Sequence, residues 1–163
     1  MQRAVHLSRV GTLRSNEHVA YHCSHHHIPL VVIQDPVDTA HCRFRYTEPQ
    51  ILEQRFLPCA RFTMEVLSEA QVIRDRYCEA QPSAVLVVIP AEIPVLASVT
   101  NTDHFVQERT RPTIIALAVV AEGDMMHSVS MFYFKWFPQP FPVRVFGDET
   151  EALDWLRQRL PSS

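Results

Sequence analysis

The last third of the chain alternates apolar runs of strand length with runs that have helical spacing. Residues 113–120 and 142–146 are the apolar runs, and residues 125–136 and 149–160 carry their apolar side chains at helical spacing. Parallel neighbouring strands need a long connection, usually a helix, so this alternation is typical of a parallel α/β sheet. Together with residues 84–89, the two apolar runs are predicted to form three mutually parallel strands.

The earlier part of the domain is predicted to contain a hairpin and two further helices. Residues 84–89 (AVLVVI) are apolar throughout, as in a strand that is buried on both faces in the middle of a sheet. Residues 42–47 and 50–57 flank a turn-like segment and predict a β-hairpin. Helical spacing and proline breaks place helices at residues 64–78 and 101–109.

The final helix has clear signals at both ends. Asp148 is suited to cap its N-terminus, Glu151 three residues later completes a capping box, and Pro161 stops the helix. Apolar side chains recur along one side of the segment. We therefore expect Trp155 and Leu156 to anchor this helix, with Leu156 in the core.

Length and charge limit the class of protein. The 163 residues fit one domain with a substantial core. The net charge of −3 provides no basic surface of the kind that indicates nucleic-acid binding. No apolar run approaches the roughly 20 residues of a membrane span, and the N-terminus lacks the apolar core of a signal peptide. We therefore expect a cytoplasmic protein without a membrane span.

Glycine is scarce, which excludes several enzyme motifs. The chain has only three glycines, so it contains neither a glycine-rich phosphate loop nor a G-x-S-x-G nucleophile elbow. The four cysteines are far apart and form no C-x-x-C pair, so we expect reduced, structural thiols. The sequence therefore predicts no catalytic residues and no cofactor.

Histidine and cysteine are concentrated near the start of the chain, and imidazole and thiolate suit zinc, nickel or copper. The candidate metal ligands are His22, Cys23, His26, His41 and Cys42. Their spacing matches no established metal motif. Residues 1–40 are therefore interpreted as a His-rich, partly irregular N-terminal extension that binds metal adventitiously, and a specific metal site is the alternative.

The third helix has two apolar stripes, although a helix that covers a sheet needs only one. One stripe comprises Met125, Val129, Phe132 and Trp136, and the second comprises Met126, Tyr133 and Phe137. The second stripe either lies under the fourth helix or the N-terminal extension, or it is exposed. If it is exposed, Met126, Tyr133 and Phe137 are predicted to contact a second protomer, another protein or an apolar ligand.

Residues 46–160 resemble the STAS/SpoIIAA-like group of small, largely uncharacterised bacterial proteins. The runs that carry the resemblance are FYFK at 132–135, PFPVRVF at 140–146 and DETEALDWL at 148–156. The resemblance implies a mixed four- to five-stranded sheet with helices mainly on one face. It also implies that residues 41–160 form the STAS/SpoIIAA-like domain.

In anti-sigma-factor antagonists of this fold, an Asp-Ser pair after the central strand carries a regulatory phosphoserine. The corresponding residues 90–100 (PAEIPVLASVT) lack the Asp-Ser pair. The resemblance leaves Ser98 and Thr100 as the candidate phosphoacceptors at this place.

Three classes of function agree with these observations. The first is a non-enzymatic regulatory or protein-interaction module that binds itself, as a homodimer, or another protein. The second is a carrier of an apolar small molecule or lipid, which requires a sizeable pocket. The third is a metal-binding protein that uses the N-terminal histidines and cysteines.

Overall fold

The computed structural model describes residues 35–161, which form one mixed sheet with helices on both of its faces. The strands are β1 (Val37–Asp38), β2 (Cys42–Glu48), β3 (Ile51–Phe56), β4 (Ser83–Ile89), β5 (Ile114–Ala121) and β6 (Val143–Phe146). The helices are α1 (Met64–Ala80), α2 (Ala97–Thr100), α3 (Asp124–Trp136) and α4 (Glu149–Arg157), with a 3₁₀ turn at Val106–Arg109. The predicted α/β class is confirmed.

The order of the strands in the sheet is their order in the chain. Strands β1, β2 and β3 are antiparallel neighbours, as the predicted hairpin requires. From β3 to β6 each neighbouring pair is parallel. The prediction that the three later strands are mutually parallel is therefore confirmed.

Within residues 35–161 the sheet has six strands, one more than the upper end of the predicted count of four to five, and the strand that was not predicted is the short β1. This strand pairs with β2 and falls within the predicted N-terminal extension of residues 1–40. The hydroxyl of Thr39 reverses the chain by accepting hydrogen bonds from the N–H groups of His41 at 3.2 Å and Cys42 at 3.0 Å. A strand of two residues is too short for alternation to reveal it.

Two apolar layers cover the two faces of the sheet. Helices α1, α2 and α3 pack on one face, against side chains such as Leu52, Val87 and Val119. Helix α4 packs on the other face, against Ile51, Leu86 and other inward residues. Three of the four α-helices therefore share one face, as expected, and β4 is buried along its whole length.

Helix α4 is held at its start by its cap and by an ion-pair cluster. Asp148 Oδ1 accepts a hydrogen bond from the Glu151 N–H at 2.9 Å, which confirms the predicted cap. Arg55 Nη2 lies 3.1 Å from buried Glu53 Oε2 on β3 and 2.7 Å from Glu149 Oε1 on α4. Burial raises the pKa of Glu53, but hydrogen bonds from Arg55 and Arg45 outweigh it and lower the pKa overall.

The helix predicted at residues 101–109 is wrong. Helix α2 ends at Thr100, and only the short 3₁₀ turn follows. The carboxylate of Asp103 accepts a hydrogen bond from the Phe105 N–H at 2.9 Å. Such a local side-chain bond competes with the bonds of a helix, which explains the interruption.

Glu108 connects this segment to the sheet. Its buried carboxylate accepts hydrogen bonds from the N–H of Thr113 at 2.7 Å, the Thr113 hydroxyl at 2.8 Å and the N–H of Ile114 at 2.9 Å. These bonds fix the start of β5. Within residues 35–161, no helix has both the length and the apolar character needed to cross a membrane.

Replacement of Leu156 tests the packing of α4. Leu156 is fully buried, as predicted, so Leu156→Ala is expected to lower the free energy of unfolding by about 2–5 kcal/mol. Denaturant unfolding measures this loss. The control Val72→Ala, at a side chain that is 69% exposed on α1, is expected to change it by no more than about 0.5 kcal/mol. A comparably small loss for Leu156→Ala would contradict the assigned packing.

Candidate functional site

A cavity of about 110 Å³ lies between the sheet and helices α1, α2 and α3. Its wall is mainly apolar because the strands direct alternate side chains to this face and the helices direct their apolar stripes toward it. The wall is rich in aromatic rings and contains one methionine, Met126. Its apolar residues include Phe56, Phe62, Phe105, Phe134, Met126 and Val87.

Gln54 places an amide oxygen without a hydrogen-bond partner among the described residues in this wall. Leu52 and Phe56, two positions before and after it on β3, belong to the core on the same face, so Gln54 also points toward the helices. Its side chain is 4% exposed, and its Oε1 has no hydrogen-bond partner in the described part of the chain. A buried acceptor without a partner is costly, so the Gln54 amide favours a polar group in the cavity.

Arg74 also lines the cavity, but its hydrogen bonds serve the fold. The buried guanidinium donates from Nε to Asp75 Oδ1 at 3.2 Å and from Nη2 to the His104 carbonyl at 3.2 Å. Its Cζ lies 4.3 Å from the centroid of the Phe105 ring. These contacts tie α1 to the segment after α2.

His104 and Tyr133 form a stacked pair at the cavity wall. The Tyr133 hydroxyl accepts a hydrogen bond from the His104 N–H at 2.9 Å, and the ring centroids are 6.0 Å apart. Burial lowers the pKa of His104 and raises the pKa of Tyr133 to about 12. At neutral pH both side chains are therefore uncharged, and they can bind a neutral polar molecule by hydrogen bonds rather than by charge.

The predicted contact stripe of Met126, Tyr133 and Phe137 faces the core more than it faces solvent. Met126 is only 1% exposed and lies in the core, while Tyr133 and Phe137 are half-buried. The side chains that face solvent are instead Met125, Met131, Phe132 and Trp136, each between 53% and 69% exposed. We call these four residues the α3 patch.

The α3 patch adjoins an open edge of the sheet. A groove beside β6 is lined by residues of α3, such as His127, Phe132 and Lys135, and by Val143, Arg144 and Val145 of the strand. The Leu117 N–H donates to the Pro142 carbonyl, so alternation along β6 turns the N–H and C=O groups of Val143 and Val145 away from β5. In the part of the chain that the structure describes, β6 pairs only with β5.

The two candidate phosphoacceptors lie on α2 and have different surroundings. Ser98 is exposed. Thr100 is half-buried, lines the cavity, and donates its hydroxyl to the Ala97 carbonyl at 3.0 Å. The structure therefore leaves Ser98 as the more accessible hydroxyl, and its modification stays a prediction.

The candidate metal ligands are only partly described. His22, Cys23 and His26 lie outside residues 35–161. His41 Nδ1 is buried without a partner among the described residues, and burial raises the pKa of the Cys42 thiol to about 12. Metal binding at Cys42 would require loss of this proton, because the thiolate is the form that binds a metal. Across residues 35–161, no group of three or more His, Cys, Asp or Glu side chains is placed to hold a metal ion.

Gln54 and Arg74 were not identified from the sequence as site residues. Gln54 did leave a signal, because it is a polar residue at an inward position of β3, between Leu52 and Phe56. No sequence signal indicates that Arg74 lines a cavity, since a lone arginine on a helix is usually exposed.

Comparison with known proteins gives a family and a fold. Residues 46–160 match the family model described as Domain of unknown function (DUF7793). Among curated proteins, no sequence matches this chain. The chain is similar to the crystal structure of an uncharacterized DUF3478-family protein with a SpoIIAA-like fold from Shewanella loihica PV-4, with a TM-score of 0.50 and 17% identity over 74% of this chain and 98% of that one. The chain therefore belongs to the DUF7793 family, and its fold is the SpoIIAA-like α/β fold expected from the resemblance.

Proposed function

We propose that this protein is a non-enzymatic regulatory or protein-interaction module that binds through the α3 patch. The observation that carries the proposal is the exposure of four large apolar side chains on one helix. Phe132 and Trp136 stack with ring centroids 5.9 Å apart, so they present a joined aromatic surface. Apolar clusters of this kind on a small domain mark interaction sites, and methionine and aromatic residues are enriched in such interfaces.

The partner that we propose first is a second copy of the chain. Symmetric self-association is the commonest way in which a protein covers its own apolar surface. The open edge of β6 favours this partner because it adjoins the patch and presents the free N–H and C=O groups of Val143 and Val145. Antiparallel pairing of two β6 strands about a two-fold axis would satisfy these groups and bury both α3 patches.

A carrier function for a lipid receives less support. Ligand pockets for drug-sized molecules usually measure about 300–1,000 Å³. The cavity of about 110 Å³ has no room for an acyl chain, although its apolar wall suits a much smaller molecule. The metal-binding alternative depends on the N-terminal histidines and cysteines, so it requires a test on the full chain.

We infer a cytoplasmic location without nucleic acid as a partner. Among residues 35–161, the cysteines Cys42, Cys59 and Cys78 form no disulfide with one another, as in proteins of a reducing compartment. Burial raises the pKa values of the Cys42 and Cys78 thiols to about 12, which keeps them protonated and slow to oxidise. The net charge of −3 gives no electrostatic basis for binding nucleic acid.

Charge placed in the α3 patch tests self-association. The double variant Phe132→Glu/Trp136→Glu is expected to be a folded monomer, whereas the wild type is a dimer, because four carboxylates would face each other across the interface. Light scattering coupled to gel filtration measures the mass. The control Val72→Glu/Leu96→Glu adds the same charge at exposed sites on α1 and before α2 and is expected to remain a dimer. A wild type that is monomeric at high micromolar concentration would contradict the homodimer.

A proline in β6 tests the use of the strand edge. Val143→Pro removes an N–H that points away from β5, and proline is tolerated at the first residue of a strand. This variant is expected to stay folded and become monomeric, as judged by circular dichroism and light scattering. Retention of the dimer would show that the α3 patch associates without the strand edge.

Chelation tests the metal alternative. Because the described residues have no metal cluster, the full chain purified without an affinity tag is expected to keep its melting temperature when EDTA is added. Thermal unfolding and elemental analysis provide the measurements. Stoichiometric zinc together with unfolding by the chelator would instead support a specific site at His22, Cys23 and His26.

A further inference from the structure

We propose that the cavity beneath α3 is a binding site for a single aromatic ring that bears a hydroxyl group, a molecule of the phenol class. This site is separate from the α3 patch, since its wall is formed by the opposite side of the helix. Met126, Ser130 and Tyr133 of α3 line the cavity, whereas the four patch residues do not.

The size of the cavity sets the size of the ligand. An apolar cavity of about 150 Å³ in another protein holds benzene, so a single ring of roughly six or seven non-hydrogen atoms is the largest body that the cavity of about 110 Å³ can admit, and its entry requires the wall to widen slightly. Helix α3 supplies some adaptability because Val129 and Phe134 in the wall are only half-buried. A longer chain or a second ring would exceed the available space.

The wall favours an aromatic body over an aliphatic one. Phe105 and Phe134, with centroids 6.0 Å apart, and the edge-to-face pair of Phe56 and Phe62, at 4.7 Å, already use ring–ring contacts. Rings gain about 0.5–1.5 kcal/mol from such contacts in addition to burial. The sulfur of Met126 adds a polarizable contact of the kind that aromatic rings accept.

The amide oxygen of Gln54 specifies the hydroxyl. Its Oε1 is buried, lies in the wall of the cavity and has no partner among the described residues, so it needs a donor. A phenolic O–H supplies this donor at the edge of an apolar ring. His104 and Tyr133 are neutral because they are buried. The guanidinium of Arg74 in the same wall is paired with the carboxylate of Asp75, so the wall does not favour an anion.

Titration of the full chain with phenol, monitored by the backbone amide signals in NMR, tests the site. We expect saturable shifts at residues of the wall, with a dissociation constant of about 0.1–5 mM, as the size of the ligand dictates. Toluene, which has the same ring without the hydroxyl, is expected to bind more weakly. Absence of saturable shifts would overturn the proposal and leave water as the occupant.

Two variants locate the binding and its polar contact. Gln54→Met keeps a long unbranched side chain without the amide, so phenol is expected to bind about threefold to tenfold more weakly while toluene does not. Val129→Phe fills the cavity and is expected to abolish both, whereas the control Val72→Phe, at an exposed site on α1 outside the cavity wall and the α3 patch, leaves both unchanged. Equal losses for phenol and toluene in Gln54→Met, or undiminished binding in Val129→Phe, would overturn the assignment.

Discussion

Burial of β4 and β5 on both faces is the constraint on which the rest of the structure depends. Every residue of β4 is buried, so helices must cover both sides of the sheet. The two cover layers differ in construction. Within residues 35–161, helix α4 is the one helix on its face of the sheet and covers it with Leu156 and Trp155, while three helices and the segment after α2 share the other face. The shared layer leaves a space between the sheet and helices α1, α2 and α3, and that space is the cavity.

The rotation of α3 about its axis decides which of its apolar residues are exposed. Tyr133 is held by its hydrogen bond from the His104 N–H and by stacking on the His104 ring. The adjoining Asp103 is fixed in turn by Arg109 Nη1 at 2.6 Å and by Gln139 Nε2 at 3.2 Å. These polar contacts hold α3 in the rotation that places Met126 in the core and leaves the α3 patch in solvent.

The sequence predicted the regular elements well and the surface of α3 poorly, for the same physical reason. Strands and helices show themselves in the local spacing of apolar residues, so β4 to β6, α1 and the cap of α4 at Asp148 could be predicted from the sequence. The rotation of α3 depends on a hydrogen bond to His104, 29 residues earlier in the chain, and spacing contains no information about such a contact. The helix predicted at residues 101–109 is absent for a different reason. The N–H of Phe105 donates to the carboxylate of Asp103, and this local hydrogen bond competes with helical hydrogen bonds, which the spacing of apolar residues does not reveal.

One helix thus supplies both a contact surface and part of a cavity wall, and the two sides are chemically distinct. The outer side has large apolar side chains in water, where association with another surface lowers their free energy. The inner side surrounds a small space whose only unsatisfied buried acceptor, among the residues that line it in the described chain, is Gln54 Oε1. Because Phe132 and Trp136 do not line the cavity, their replacement leaves its wall intact, while Gln54 lies beneath the helix and does not reach the patch. The two proposed interactions are therefore separable by substitution, even though both depend on the same rotation of α3.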